Sequence, residues 1–114
     1  MNIQRGIVQV GKHSHGSKLI YFLFHGPFSN APLVFITPLQ DFDYQTDYQD
    51  PKAYPRDTFA VTVNRVGIYD CHFTITRADL VNSVGERNDF TPGWGQDLRM
   101  QWLALDNTAV PWSG

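Results

Sequence analysis

Alternation with a period of two runs through almost every apolar stretch of this chain, and it leaves little choice beyond β-strands. In Asp70–Arg77, Cys71, Phe73 and Ile75 share one parity while His72, Thr74 and Thr76 share the other. Thr58–Val66 places Phe59, Val61 and Val63 on one face and Thr58, Ala60, Thr62 and Asn64 on the other. Ile3–Val10 alternates more loosely and stops at Gly11. Lys18–Phe24 is aromatic and β-branched, and His25-Gly26-Pro27 ends it. Pro32–Thr37 is a continuous apolar run halted by Pro38, and Leu98–Leu105 closes the set. Short strands divided by Gly, Pro, Asn and Asp predict an all-β fold, a six-stranded antiparallel β-sandwich. The 114 residues suit a single domain spanning 1–114, with a core over about 3–106 and a short C-terminal tail at 107–114.

The last segment breaks the usual rule. Leu98, Met100, Trp102 and Ala104 form one face, but Leu103 and Leu105 place hydrocarbon on the face that Arg99 and Gln101 keep polar. An apolar ridge on an outer face must be covered by the chain itself or by another copy. Within the chain, Val110 and Trp112 of the tail are the residues suited to that role.

Composition excludes several function classes. Hydrophobic residues make up 42% of the chain, enough for a core. A formal net charge of −2 gives no general attraction to nucleic acid or to an anionic membrane. No stretch reaches the ~18 continuous apolar residues of a membrane span, and Met1–Gly11 lacks the apolar run of a secretion signal. Extracellular action as part of a larger particle stays open. The single cysteine, Cys71, alternates with Phe73 and Ile75 and reads as a buried thiol rather than a nucleophile.

Motifs for chemistry are sparse. His13 and His15 share a face if extended and can donate to a transition metal, but no third ligand follows at useful spacing, and a turn exposing polar side chains is the expected role. Asp41, Asp43, Asp47 and Asp50 suggest calcium, yet a helix–loop–helix calcium loop counted from Asp41 needs Gly and Glu where Thr46 and Lys52 stand. A looser calcium site on Asp41, Asp43 and Asp47 remains open beside a solvated acidic loop; no other cofactor is expected. No nucleophile motif or phosphate loop is present, and Asp41 with Asp43 makes a poor glycosidase pair, so no enzyme activity is expected. Tyr44, Tyr48, Tyr54, Phe90 and Trp94 fall in loops beside polar groups. Aromatic rings stack on the C–H face of sugars while polar side chains hydrogen-bond the hydroxyl rim; the same rings can also form small loop clusters.

The order of segments resembles an H-type lectin domain, the module of snail agglutinins and of discoidin C-terminal regions. The resemblance covers about residues 3–106. It rests on the opening strand IQRGIVQVG, on LIYFLF, on Phe28, Pro32 and Val34, on FAVTVNRV and CHFTIT, and on Trp102-Leu103-Ala104-Leu105. It implies a homotrimer that binds galactose or N-acetylgalactosamine glycans at subunit junctions, with Leu103 and Leu105 in the interface. The family's sugar residues lie after the first strand, here His13 to Gly16. A family arginine near the start of the fourth strand falls at Ala60, with Arg56 and Arg65 nearby. The family's Trp-His pair is replaced by a loop with Arg87, Asn88, Asp89 and Trp94. On this reading Trp94 stacks on the sugar, and Asp89, Asn88, Arg87, His15, His13 and Arg65 supply hydrogen bonds. The alternative is a structural, assembly or host-attachment module of a phage tail or capsid, with no sugar ligand of its own.

Overall fold

A computed structural model describes residues 2–40, 58–78 and 93–107. They contain six strands: β1 (Ile3–His13), β2 (Ser17–Leu23), β3 (Leu33–Leu39), β4 (Phe59–Val66), β5 (Asp70–Arg77) and β6 (Trp94–Leu105). Two antiparallel three-stranded sheets result, in the orders β1-β6-β3 and β2-β5-β4. The chain is therefore an all-β sandwich, as the alternation predicts.

Three strand ends differ from expectation by more than one residue, each for a local reason. β1 continues past Val10 because Gly11 adopts a left-handed φ of 80°. A β-bulge there restores pairing, so that His13 ends opposite Trp94 and β6 begins at Trp94 rather than Leu98. β3 runs through Pro38 to Leu39 instead of stopping before it. As an edge strand it can accommodate a residue that has no N–H to donate.

The inner faces carry the parities read from the sequence. Cys71, Phe73 and Ile75 of β5 and Leu98, Met100, Trp102 and Ala104 of β6 are buried, joined by Val10, Phe22, Phe24, Phe28 and Trp94. An aromatic column ties the sheets together. Trp102 of β6 stacks on Phe22 of β2 at 4.5 Å, and Phe24 meets Trp102 edge-on at 5.8 Å. Phe28 in turn meets Phe24 at 5.0 Å. The Trp102 indole lies over Gly6, its cross-strand partner. A Cβ at Gly6 would sit 2.8 Å from three ring atoms.

The segment after β2 is fixed by Gln4, whose Nε2 donates to the Gly26 carbonyl at 3.0 Å while the His25 N–H donates to its Oε1 at 2.7 Å. The His25 ring also donates from Nε2 to the Arg5 carbonyl. At the same end, the Asp106 N–H donates to the Asn2 carbonyl at 3.0 Å, so both ends of the described fold lie together.

Trp102 is wedged between Phe22 and Gly6. Gly6→Ala should therefore destabilise the fold by roughly 1–3 kcal/mol through overpacking, measured as a lower urea midpoint at unchanged slope.

Candidate ligand and assembly surfaces

Register alone maps the outer face of the β1-β6-β3 sheet. Ile3, Leu105 and Leu33 form one row across the strands, and Arg5, Leu103 and Phe35 form the next. Ile7, Gln101 and Thr37 follow. Leu103 is 38% exposed and Phe35 56%, and Ile3 and Ile7 are exposed on the flanking strand. The ridge seen in β6 is thus not covered by its neighbours; β1 and β3 extend it sideways into a patch. A cleft of about 300 Å³ opens within it, lined by Arg5, Phe35, Thr37, Gln101, Trp102 and Leu103. Val110 and Trp112, the intramolecular covering expected from sequence, lie outside the described residues.

The outer face of the β2-β5-β4 sheet has a different character. Leu19, Tyr21 and Leu23 project from β2 and are exposed, Tyr21 at 63%. Tyr21 stands opposite His72 in the register, and the two rings stack at 5.4 Å and 22°. His72 also donates from Nε2 to the Asp70 carboxylate at 3.0 Å, a contact made available because residues two apart on a strand share a face. On the far side of His72 stands Arg65, exposed. Its position depends on a bulge. Phe59, Val61 and Val63 occupy one parity of β4, and uninterrupted alternation would send Arg65 to that same inner face. The register shift between Val63 and Arg65 gives the extra residue to Asn64, returns Val66 to the core beside Cys71 and turns Arg65 outward. The Asn64 side chain accepts a hydrogen bond from Thr74 Oγ1 at 2.7 Å.

The residues named for sugar binding are only partly brought together. His13 and His15 approach with ring centroids 5.6 Å apart, and His13 Nε2 donates to the Ser17 carbonyl at 2.8 Å. Among the described residues no group of three His, Cys, Asp or Glu side chains is arranged to hold a metal. Trp94 is a correction: it is 1% exposed and belongs to the core. His13 and Phe59 lie against its ring, each at 5.2 Å, and its indole N–H donates to the Gly11 carbonyl at 2.7 Å. It offers no open face for a sugar. The cause is the extended β1–β6 pairing, which draws Trp94 out of the expected loop and into a strand. Arg65 stands on the other sheet, opposite His72, with Tyr21 on the strand beyond. Arg87, Asn88, Asp89 and the acidic set Asp41, Asp43 and Asp47 lie outside the described residues. Sequence reasoning missed the Tyr21–His72–Arg65 row. Its one signal is the phase break between Val63 and Val66, where apolar parity switches.

Cys71 is fully buried, as read from the sequence. Burial, reinforced by the negative charge of Asp70, pushes its thiol up to about 11.

No family model matches the sequence, and no curated protein matches it. The fold is similar to three solved chains. One is the tailspike gp61 of Pseudomonas phage phi297, with 18% identity and a TM-score of 0.56 over 91% of this chain and 15% of that one. The second is an N-truncated R1-type pyocin tail fibre, with 19% identity and a TM-score of 0.57 over 90% of this chain and 67% of that one. The third is the C-terminal part of a P. aeruginosa R1 pyocin fibre, at 19% and 0.57, covering 90% of this chain and 22% of that one. At these identities the likeness is one of fold. The chain spans only 15% of the tailspike's length and 22% of the longer fibre's.

Replacing Trp94 by Ala should cost roughly 3–5 kcal/mol of stability, as for other buried large aromatics, read from chemical denaturation. Cys71 should resist iodoacetamide at pH 8 in the folded chain and react promptly in urea, because the thiolate is the nucleophile. Its folded value stands above the ordinary 9.0 of a free thiol. The stability it contributes is complete below pH 9 and is lost as pH rises toward 11. Cys71→Ala should flatten the alkaline decline in melting temperature.

Proposed function

We propose that this chain is a host-attachment module of a phage tail or related particle, assembled as a homotrimer through the outer face of its β1-β6-β3 sheet. The observation that carries the reading is the likeness over nine-tenths of the chain to tailspike and tail-fibre structures. The apolar patch of Ile3, Ile7, Phe35, Leu103 and Leu105 supports the assembly part. A sheet face this greasy is stabilised when a like copy removes it from water, at about 25 cal/mol per Å² of apolar area. Three copies would present any ligand site three times, and weak single contacts would then gain from avidity. The module is read as binding rather than catalytic.

A second reading keeps the lectin likeness in full, with galactose-type glycans held at the seams between subunits. The cleft between Arg5, Phe35, Thr37, Gln101 and Leu103 favours it, because the cleft opens inside the patch that a neighbouring copy would cover. Arg5 and Gln101 would then provide polar contacts beside the Phe35 ring.

Sedimentation equilibrium at micromolar protein should give three times the chain mass. Phe35→Lys combined with Leu103→Lys should yield folded monomer, the strand content being checked by circular dichroism. A wild-type chain that is monomeric over the same range would overturn the assembly. A glycan array on the intact oligomer separates the two readings: a galactose-type signal lost with Arg5→Ala supports the seam site, and silence across neutral sugars supports attachment without it.

A further inference from the structure

We propose that the row Tyr21–His72–Arg65, on the outer face of the β2-β5-β4 sheet, binds an anionic sugar residue, one bearing a carboxylate or a phosphate. The proposal rests on the attachment reading for its purpose, but its chemistry comes from this face alone.

Three observations converge. First, the bulge at Asn64 is what places a guanidinium on this surface; regular alternation would have sent it to the opposite face of the sheet. Bulges recur where a strand must re-aim a side chain. Second, the charges on this face are unequally engaged. The Asp70 carboxylate is held by His72 at 3.0 Å, whereas the Arg65 guanidinium has no hydrogen-bond or ion-pair partner among the described residues. An exposed planar donor fork is matched by carboxylate and by phosphate, each through two parallel hydrogen bonds. Third, an apolar bed lies on the same face as the cation, across the strand that carries His72. Tyr21 is flanked on its own strand by exposed Leu19 and Leu23, and its ring is held in place by the stack on His72. A sugar has a C–H face for such a bed and hydroxyls for the neighbouring Thr62, Thr74 and Asn64. From β2 to β4 the row crosses three strands, about 10 Å, room for one or two sugar rings laid across the sheet.

The face is separate from the apolar patch. A trimer built through β1-β6-β3 leaves it directed outward, so ligand binding and assembly can be tested apart.

The isotope-labelled 114-residue chain is titrated with galacturonic acid, N-acetylneuraminic acid and galactose 6-phosphate, with galactose, N-acetylgalactosamine and inorganic phosphate as controls. The acidic sugars should shift backbone amides of residues 19–23, 64–66 and 70–74, and the neutral sugars should not. The carboxylate and phosphate arms show which anion is preferred. Arg65→Gln should weaken binding by about tenfold or more, as for loss of a charge-assisted hydrogen bond. Arg65→Lys should retain part of it, and Tyr21→Ala should weaken it with the melting temperature little changed. Equal binding of neutral and acidic sugars, equal binding of inorganic phosphate alone, or full binding by Arg65→Gln each overturns the proposal. So does the absence of shifts at millimolar sugar. None of these outcomes alters the oligomeric mass, which tests the attachment reading separately.

Discussion

The sandwich depends on one stack. The Trp102 indole reaches from β6 across the core to lie on Phe22 of β2, and this is feasible only because Gly6 offers no side chain beneath it. A glycine within a strand weakens that strand on its own account. Here the lost packing of β1 is replaced by an aromatic ring from its neighbour, so that the edge strand, the central strand and the opposite sheet share one contact. Phe24 and Phe28 then extend the column along the core. Gln4, two residues before Gly6, fixes the segment carrying His25 and Gly26 that separates those two rings. The hydrophobic gain and the chain path are set at the same place.

With the inner face so filled, the outer faces are free to diverge, and they do. One is apolar across all three strands, with Ile3 and Ile7 on β1, Leu103 on β6 and Phe35 on β3. The other is a mosaic in which a single exposed ring, a His–Asp pair and an unengaged guanidinium stand in one line. In the function proposed above, the apolar wall meets copies of the chain and the patterned wall meets the ligand.

Much of this was legible in the sequence. The parities of β5 and β6 predicted the buried sets correctly because neither strand is interrupted there. The Leu103 and Leu105 ridge was also visible, as a violation of alternation. Two features were hidden. Trp94 reads as a loop aromatic because Gly11 gives no outward sign that it turns left-handed and carries β1 on to His13; the extra pairing draws Trp94 inward. Arg65 reads as a sugar contact, but its place opposite His72 was hidden, since the bulge at Asn64 depends on how β4 is accommodated against β5. Pro38 misleads in the opposite sense: it is a reliable strand breaker only where both edges of the strand must pair, and β3 has one edge free. Register across strands, which no single segment encodes, is what assembled the Tyr21–His72–Arg65 row.

The bond between Asp106 and Asn2 has a mechanical meaning. It joins the open ends of β1 and β6, which run antiparallel, so a pull applied at these two points loads their ladder one rung at a time. Such a pair peels under modest tension, whereas strands loaded lengthwise must shed all their rungs together.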